Sequence, residues 1–205
     1  MAYGKYKNIH EVATKYQIRV AVENFIHPLP VVVDERFERL RDDLTDALQN
    51  LDVKMSEISI NEFLMAPILR EIWTRHREML LLWSHVSLKV GEDFDGYPDY
   101  LFTKRSNLGM VRQKPYLLVI EAKKDDFDGG WGQCLADLIA AQTVNGNDQI
   151  MLHGSVSNGG VWEFGKLLGH EFVRDPRSFT ITELEDLFAA LNYVFTQAEE
   201  LARQN

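Results

Sequence analysis

The 205-residue chain has one cysteine, Cys134. A lone thiol excludes an internal disulfide and a cysteine-rich zinc site, and such sparing use fits a reducing compartment. The apolar, helical surroundings of Cys134 assign it to packing. No apolar run approaches the roughly 18 residues that span a bilayer. Met1 to Glu11 carries scattered lysines and no apolar signal-peptide core, so the expectation is a soluble, cytoplasmic protein with no membrane partner. Repeats and low-complexity tracts are missing too. Positive charge is in short supply: 22 Lys and Arg stand against 31 Asp and Glu, for a net charge of −9 and a pI near 5.2. A bulk negative field repels a phosphate backbone. Any contact with nucleic acid must therefore rest on local clusters of cations or on a partner that supplies the grip.

What remains is ordinary for a globular α/β chain, with 45% hydrophobic and 26% charged residues, enough for one well-buried core. Residues 8–25 read as a short helix plus a strand. Asp34 is placed to cap a helix running to about Leu48, with Phe37, Leu40, Leu44 and Leu48 on one face. A helix spans 57–73, with Glu57 and Glu71 reading as solvent-facing. Alternation predicts a first core strand over 85–90, a second over 97–103, and a third, most buried, over 115–123. An acidic loop at Asp125, Asp126 and Asp128 leads into a helix through 132–142. Two further strands, 149–156 and 161–164, meet across Asn158-Gly159, a strong hairpin signal because both residues accept positive φ. Thr180-x-x-Glu183 reads as a capping box for a last helix to about Ala202.

The chemistry concentrates at two places. Tyr97-Pro98-Asp99-Tyr100 precedes by about twenty residues the apolar run Tyr116-Leu117-Leu118-Val119-Ile120, which ends in Glu121-Ala122-Lys123. Side chains alternate along a strand, so Glu121 and Lys123 point the same way, and Asp99 joins them if its segment is the neighbouring strand. Two carboxylates and an ammonium so placed make a hard-oxygen site for a divalent cation beside a positive charge.

Pro98-Asp99 followed by Glu121-Ala122-Lys123 resembles the PD-(D/E)XK nuclease superfamily over roughly residues 55–165. The resemblance implies a restriction-endonuclease-like core: a central mixed sheet of about four to five strands flanked by helices. Residues 1–54 would be an N-terminal helical and strand extension, and 166–205 a C-terminal helix packed on the core, all in a single domain. It further implies Mg²⁺- or Mn²⁺-dependent hydrolysis of DNA. Asp99, Glu121, the carbonyl of Ala122 and, from the preceding helix, Glu62 would be metal ligands. Lys123 would act on the attacking water, and Gln133 would sit beside the metal. Asp137 departs from the pattern, standing where members with that Gln have Tyr. Lys104, Arg105, Arg112, Lys114 and Lys124 are the candidate nucleic-acid contacts, expected to line the mouth of the site once the two strands pair. Cutting both strands of a duplex would take a homodimer or two visits by one site. The alternative is a nuclease-fold adaptor without catalysis, binding nucleic acid or a partner protein.

Competing motifs fail on chemistry. Gly160-Val161-Trp162-Glu163-Phe164-Gly165-Lys166 has the spacing of a phosphate-binding loop, but Leu167 replaces the Ser or Thr that would bind magnesium, and Trp162 and Phe164 are strand residues. His153 and Ser155 share a strand face with no acid or oxyanion donor to complete a triad. They read as a satisfied sheet histidine and its neighbour. His76 and His85 are too far apart for the helical i, i+4 metal spacing. The four tryptophans, Trp73, Trp83, Trp131 and Trp162, read as packing.

Overall fold

The computed structural model describes residues 6–90 and 94–204, with Phe94 and Asp95 described by their backbone alone. Helices α1 (Ile9–Tyr16), α2 (Glu35–Asn50), α3 (Glu57–Ile60) and α4 (Ala66–His76) alternate with β1 (Arg19–Val22) and precede β2 (Leu80–Ser84). A π-helical turn, Asn61–Met65, joins α3 to α4. Then come β3 (Leu88–Val90), β4 (Phe94–Gly96), β5 (Tyr100–Lys104), β6 (Gln113–Ala122), α5 (Phe127–Asn145), β7 (Leu152–Ser157), β8 (Val161–Leu168), β9 (Glu171–Thr180) and α6 (Leu184–Gln204).

Seven strands form one mixed sheet in the order β1-β9-β8-β7-β6-β5-β2, more than the four to five expected. β6 and β7 are parallel, linked by the crossover helix α5, whereas β2–β5, β5–β6, β7–β8 and β8–β9 are antiparallel. Six consecutive residues of β6, Leu117 to Ala122, are almost fully buried, because helices cover both faces of the sheet. One core joins the sheet to α2, α4 and α6 through Phe37, Ile68, Phe102 and Phe195. The other joins it to α1 and α5 through Val12, Val119, Trp131 and Leu135.

Several elements differ from the sequence reading. The first core strand is 80–84, not 85–90. His85 takes φ +51°, which ends β2, and the alternating residues behind it pair instead with β4 in a small separate hairpin. The ten-residue strand β9 was hidden by Pro176, which removes a ladder donor. The sheet accommodates it at an irregularity, where pairing jumps from Glu163↔Ser178 to Gly165↔Arg174. Thr180 ends β9 and bonds Thr182 through its hydroxyl rather than capping a helix, and α6 begins at Leu184. Glu71 is buried, not solvent-facing, because Arg36 and Arg75 both reach it. The Asp34 cap forms as read, accepting from the N–H groups of Arg36 and Phe37.

His153 is fully enclosed in β7, and its Nδ1 has no partner among the described residues, so it is not the satisfied histidine expected. Burial, aided by the positive charge of Lys166, pushes its imidazole down to about 4. A histidine depressed from its ordinary 6.5 contributes stability that is complete above that value and is lost as pH falls towards 4. This gap corresponds to at most about 3 kcal/mol. Urea unfolding of His153→Leu and wild type at pH 7.5 and 4.5 is expected to show the variant gaining about 2–3 kcal/mol on wild type at the lower pH. Parallel curves would refute the assignment.

Candidate active site at the carboxyl end of β6

The site is built where an apolar strand ends in charge. Antiparallel pairing of Tyr100 with Ile120 places Asp99, one residue before β5, alongside Glu121. Asp99 is almost buried. Its Oδ2 accepts the N–H of Ala122 at 2.8 Å, and its Oδ1 accepts from Nδ2 of Asn61 at 3.4 Å and lies 3.1 Å from Nε2 of His85. The main-chain N–H of His85 donates to the Asp99 carbonyl at 3.0 Å. His85 Nδ1 in turn lies 2.7 Å from the Ser84 hydroxyl. Asp99 is thus a cross-brace between β6, the π-helical turn and the end of β2.

Glu121 has no exposed surface, and none of the described N–H or O–H groups donates to either of its oxygens. It faces Asp137 of α5, a buried carboxyl whose Oδ2 is likewise without a donor. Asp137 fits only because residue 96 is glycine: a Cβ there would sit 2.0 Å from Asp137 Oδ1. Burial first, then the negative charges of Asp137 and Asp99, push the Glu121 carboxyl well above the usual carboxylate range, with Lys123 opposing. Burial likewise raises Asp137, to about 7. A proton shared between the two carboxyls pairs one oxygen of each when no cation lies between them, and leaves the other Glu121 oxygen without a donor. Wherever both ionise, two unpartnered charges face each other inside the protein.

Lys123 follows directly, its N–H bonded to the Ser157 carbonyl at 2.8 Å and its side chain half-buried. The stem crosses α5 at Gly130, where a Cβ would come within 2.7 Å of Lys123 Cγ. Among the described residues it forms no ion pair. Gln133 is half-buried one turn ahead of Asp137, four residues away on the same helix face. Ala122 meets the site through its N–H, donated to Asp99. Asp99, Glu121 and Lys123 are therefore brought together around one strand end, with Gln133 on the helix that carries Asp137; Glu121 itself is sealed from solvent, while His85, Lys123 and Gln133 are partly open.

Two expectations are corrected. Glu62 is exposed, and the residue of that helix bonded to Asp99 is its neighbour Asn61, because the π turn at 61–65 rotates the helix there by about one position. The basic residues Lys104, Arg105, Arg112 and Lys114 do not line the site. The strands pair, but Lys104 faces Gln113, at the end opposite Asp99 and roughly 25 Å from Glu121 along β6. Lys124 alone of that set lies next to the site, and it is exposed. Sequence reasoning also missed Asp137 and His85. The signal for Asp137 was available: it is the only charged residue between Gly129 and Thr143.

The donor chemistry suits a hard divalent cation, since three buried carboxylate oxygens on two side chains lack donors. As placed, no three Asp, Glu, His or Cys side chains among the described residues converge in a metal-holding cluster, because the oxygens of Asp99 are turned to Ala122, Asn61 and His85. No protein-family model matches the chain, and no curated protein matches it.

Proposed function

We propose that this chain is a metal-dependent nuclease hydrolysing the phosphodiester bonds of DNA. The observation that carries the reading is the donor-less pair Glu121 and Asp137, buried beside Asp99 and Lys123 at the end of adjacent strands. Burying such a pair without partners is costly unless a ligand is its counterpart. Glu121 and Asp137 would hold Mg²⁺ or Mn²⁺, with Asp99 beside them. The ion would supply Lewis acidity towards a phosphoryl oxygen. Lys123 orients the attacking water and offsets charge developing on the phosphorane. Gln133 holds a water or a phosphate oxygen at the mouth. Asp99, braced by Ala122 and Asn61, fixes the ends of β5 and β6 relative to each other, and His85 positions Asp99. Cutting both strands of a duplex calls for two such sites in a homodimer or for two visits by one.

Purified protein with plasmid, linear and single-stranded DNA in Mg²⁺ or Mn²⁺, beside Asp99→Ala and Lys123→Ala, tests the reading. Wild type should cut, and Lys123→Ala should be slower by roughly 10²–10³-fold, the size of losing one electrostatic stabiliser. Equal cutting by all three would overturn it. A second reading, an inactive nuclease-fold adaptor, draws on the net charge of −9 and on the engaged oxygens of Asp99. It expects intact DNA throughout.

A further inference from the structure

We infer that the loop between β5 and β6 is a second, separate contact with double-stranded nucleic acid, an anchor remote from the carboxylates. The inference rests on the nuclease reading for its ligand class, and on the loop's own composition for its place. From Lys104 to Lys114 the chain carries four cations and no carboxylate, in a protein whose net charge is −9. Lys104 and Arg105 sit on one limb, Arg112 and Lys114 on the other, and between them the tip presents Leu108 and Met110, 84% and 71% exposed.

The base of the loop is fixed. The N–H of Arg105 donates to the Met79 carbonyl at 2.7 Å, the buried Ser106 hydroxyl accepts from Leu108 N–H at 3.0 Å, and Gly109 turns the chain at φ +92°. The guanidinium of Arg112 spends one N–H on the Ser87 carbonyl, leaving others free to donate. Leu108, Met110 and Val111 are exposed together at this tip, an apolar point that a partner can cover. Flanked by cations on both limbs, they match a groove edged by two rows of phosphates, where apolar wedges enter between base steps. A protruding loop can touch a rod-like duplex while the acidic bulk of the protein stands off. A flat anionic membrane would press against that bulk. Loop and carboxylates lie roughly 25 Å apart along β6, so one duplex reaching both spans about 7 base pairs at 3.4 Å each.

The test is fluorescence anisotropy of wild-type protein with a 20-base-pair duplex in EDTA across a salt series, which requires no cleavage. Arg105→Ala with Lys114→Ala should weaken binding at least tenfold and reduce the slope of log affinity against log salt by about 2. Leu108→Ser with Met110→Ser should weaken binding several-fold and leave that slope unchanged, which a purely electrostatic contact would not do. Absence of duplex binding by wild type, an unchanged affinity in the first double variant, or anionic phosphatidylserine vesicles displacing the duplex would each overturn the anchor. Cleavage by wild type with unaltered binding in both variants would sink the anchor and spare the nuclease reading. Loop-dependent binding without cleavage would do the reverse.

Discussion

Glu121→Gln is expected to abolish metal-dependent DNA cleavage, by on the order of 10³-fold or more, while making the metal-free protein more stable. The two effects come from the same fact: Glu121 is buried with neither oxygen accepting a hydrogen bond. Loss of an anionic ligand removes several kcal/mol of transition-state stabilisation. In the absence of metal, the Gln amide donates to Asp137 Oδ2 and replaces a pair that must otherwise share a proton or repel. Carboxyls raised above their unfolded values contribute stability that is complete at low pH and lost as pH rises through the folded values, here through about 7 for Asp137. Metal-free wild type should therefore weaken between pH 5 and 8, and the variant, which keeps only the Asp137 carboxyl of the pair, should weaken less. At pH 8 in EDTA the variant should be ahead by about 1–3 kcal/mol, the usual range for relieving a buried unsatisfied group. Thermal melts at the two pH values check this, and a variant melting below wild type at pH 8 would refute it.

Asp99→Ala should also lose cleavage, but with the opposite effect on stability. Asp99 Oδ2 accepts from Ala122 and Oδ1 meets Asn61 and His85. Truncation strands a buried N–H and frees the π-helical turn from the sheet, a loss of about 2–4 kcal/mol. Asp99→Asn keeps an acceptor for Ala122 and should recover most of that stability without recovering cleavage. Urea denaturation of the three proteins, beside the plasmid assay, separates bracing from catalysis. If Asn and Ala destabilise alike, the brace is not made by the carboxyl oxygen.

How much of this was legible in the chain follows from what each residue's neighbours are. The pairing of Asp99 with Glu121 could be read because Asp99 immediately precedes β5 and Glu121 lies near the end of β6, strands joined by a loop of eight residues. The face of Lys123 followed from strand alternation, and Gln133 was singled out by the resemblance. Asp137 was passed over as a departure from a resembled pattern, although an acid inside Trp131-Gly-Gln-Cys-Leu-Ala-Asp-Leu-Ile is itself a sign of a buried partner. Glu62 misled because a helical wheel at 3.6 residues per turn cannot register a π turn, which shifts Asn61 into its place. The basic residues were expected at the wrong end of a correctly predicted pair, since the loop joining two antiparallel strands lies opposite the end where the first begins and the second stops. β9 was invisible because its core signal, Phe172 and Val173, is separated from Phe179 by Arg, Asp and Pro, and only the sheet shows that the interruption is absorbed in one place.

The central claim is that the buried carboxyls exist to hold a cation. Isothermal titration of Mn²⁺ into wild type and Glu121→Gln at pH 8, above the value of about 7 to which Asp137 is raised, tests it most directly. Saturable binding by wild type that disappears in Glu121→Gln is the predicted result. No binding by wild type, or the same isotherm for both proteins, would contradict it.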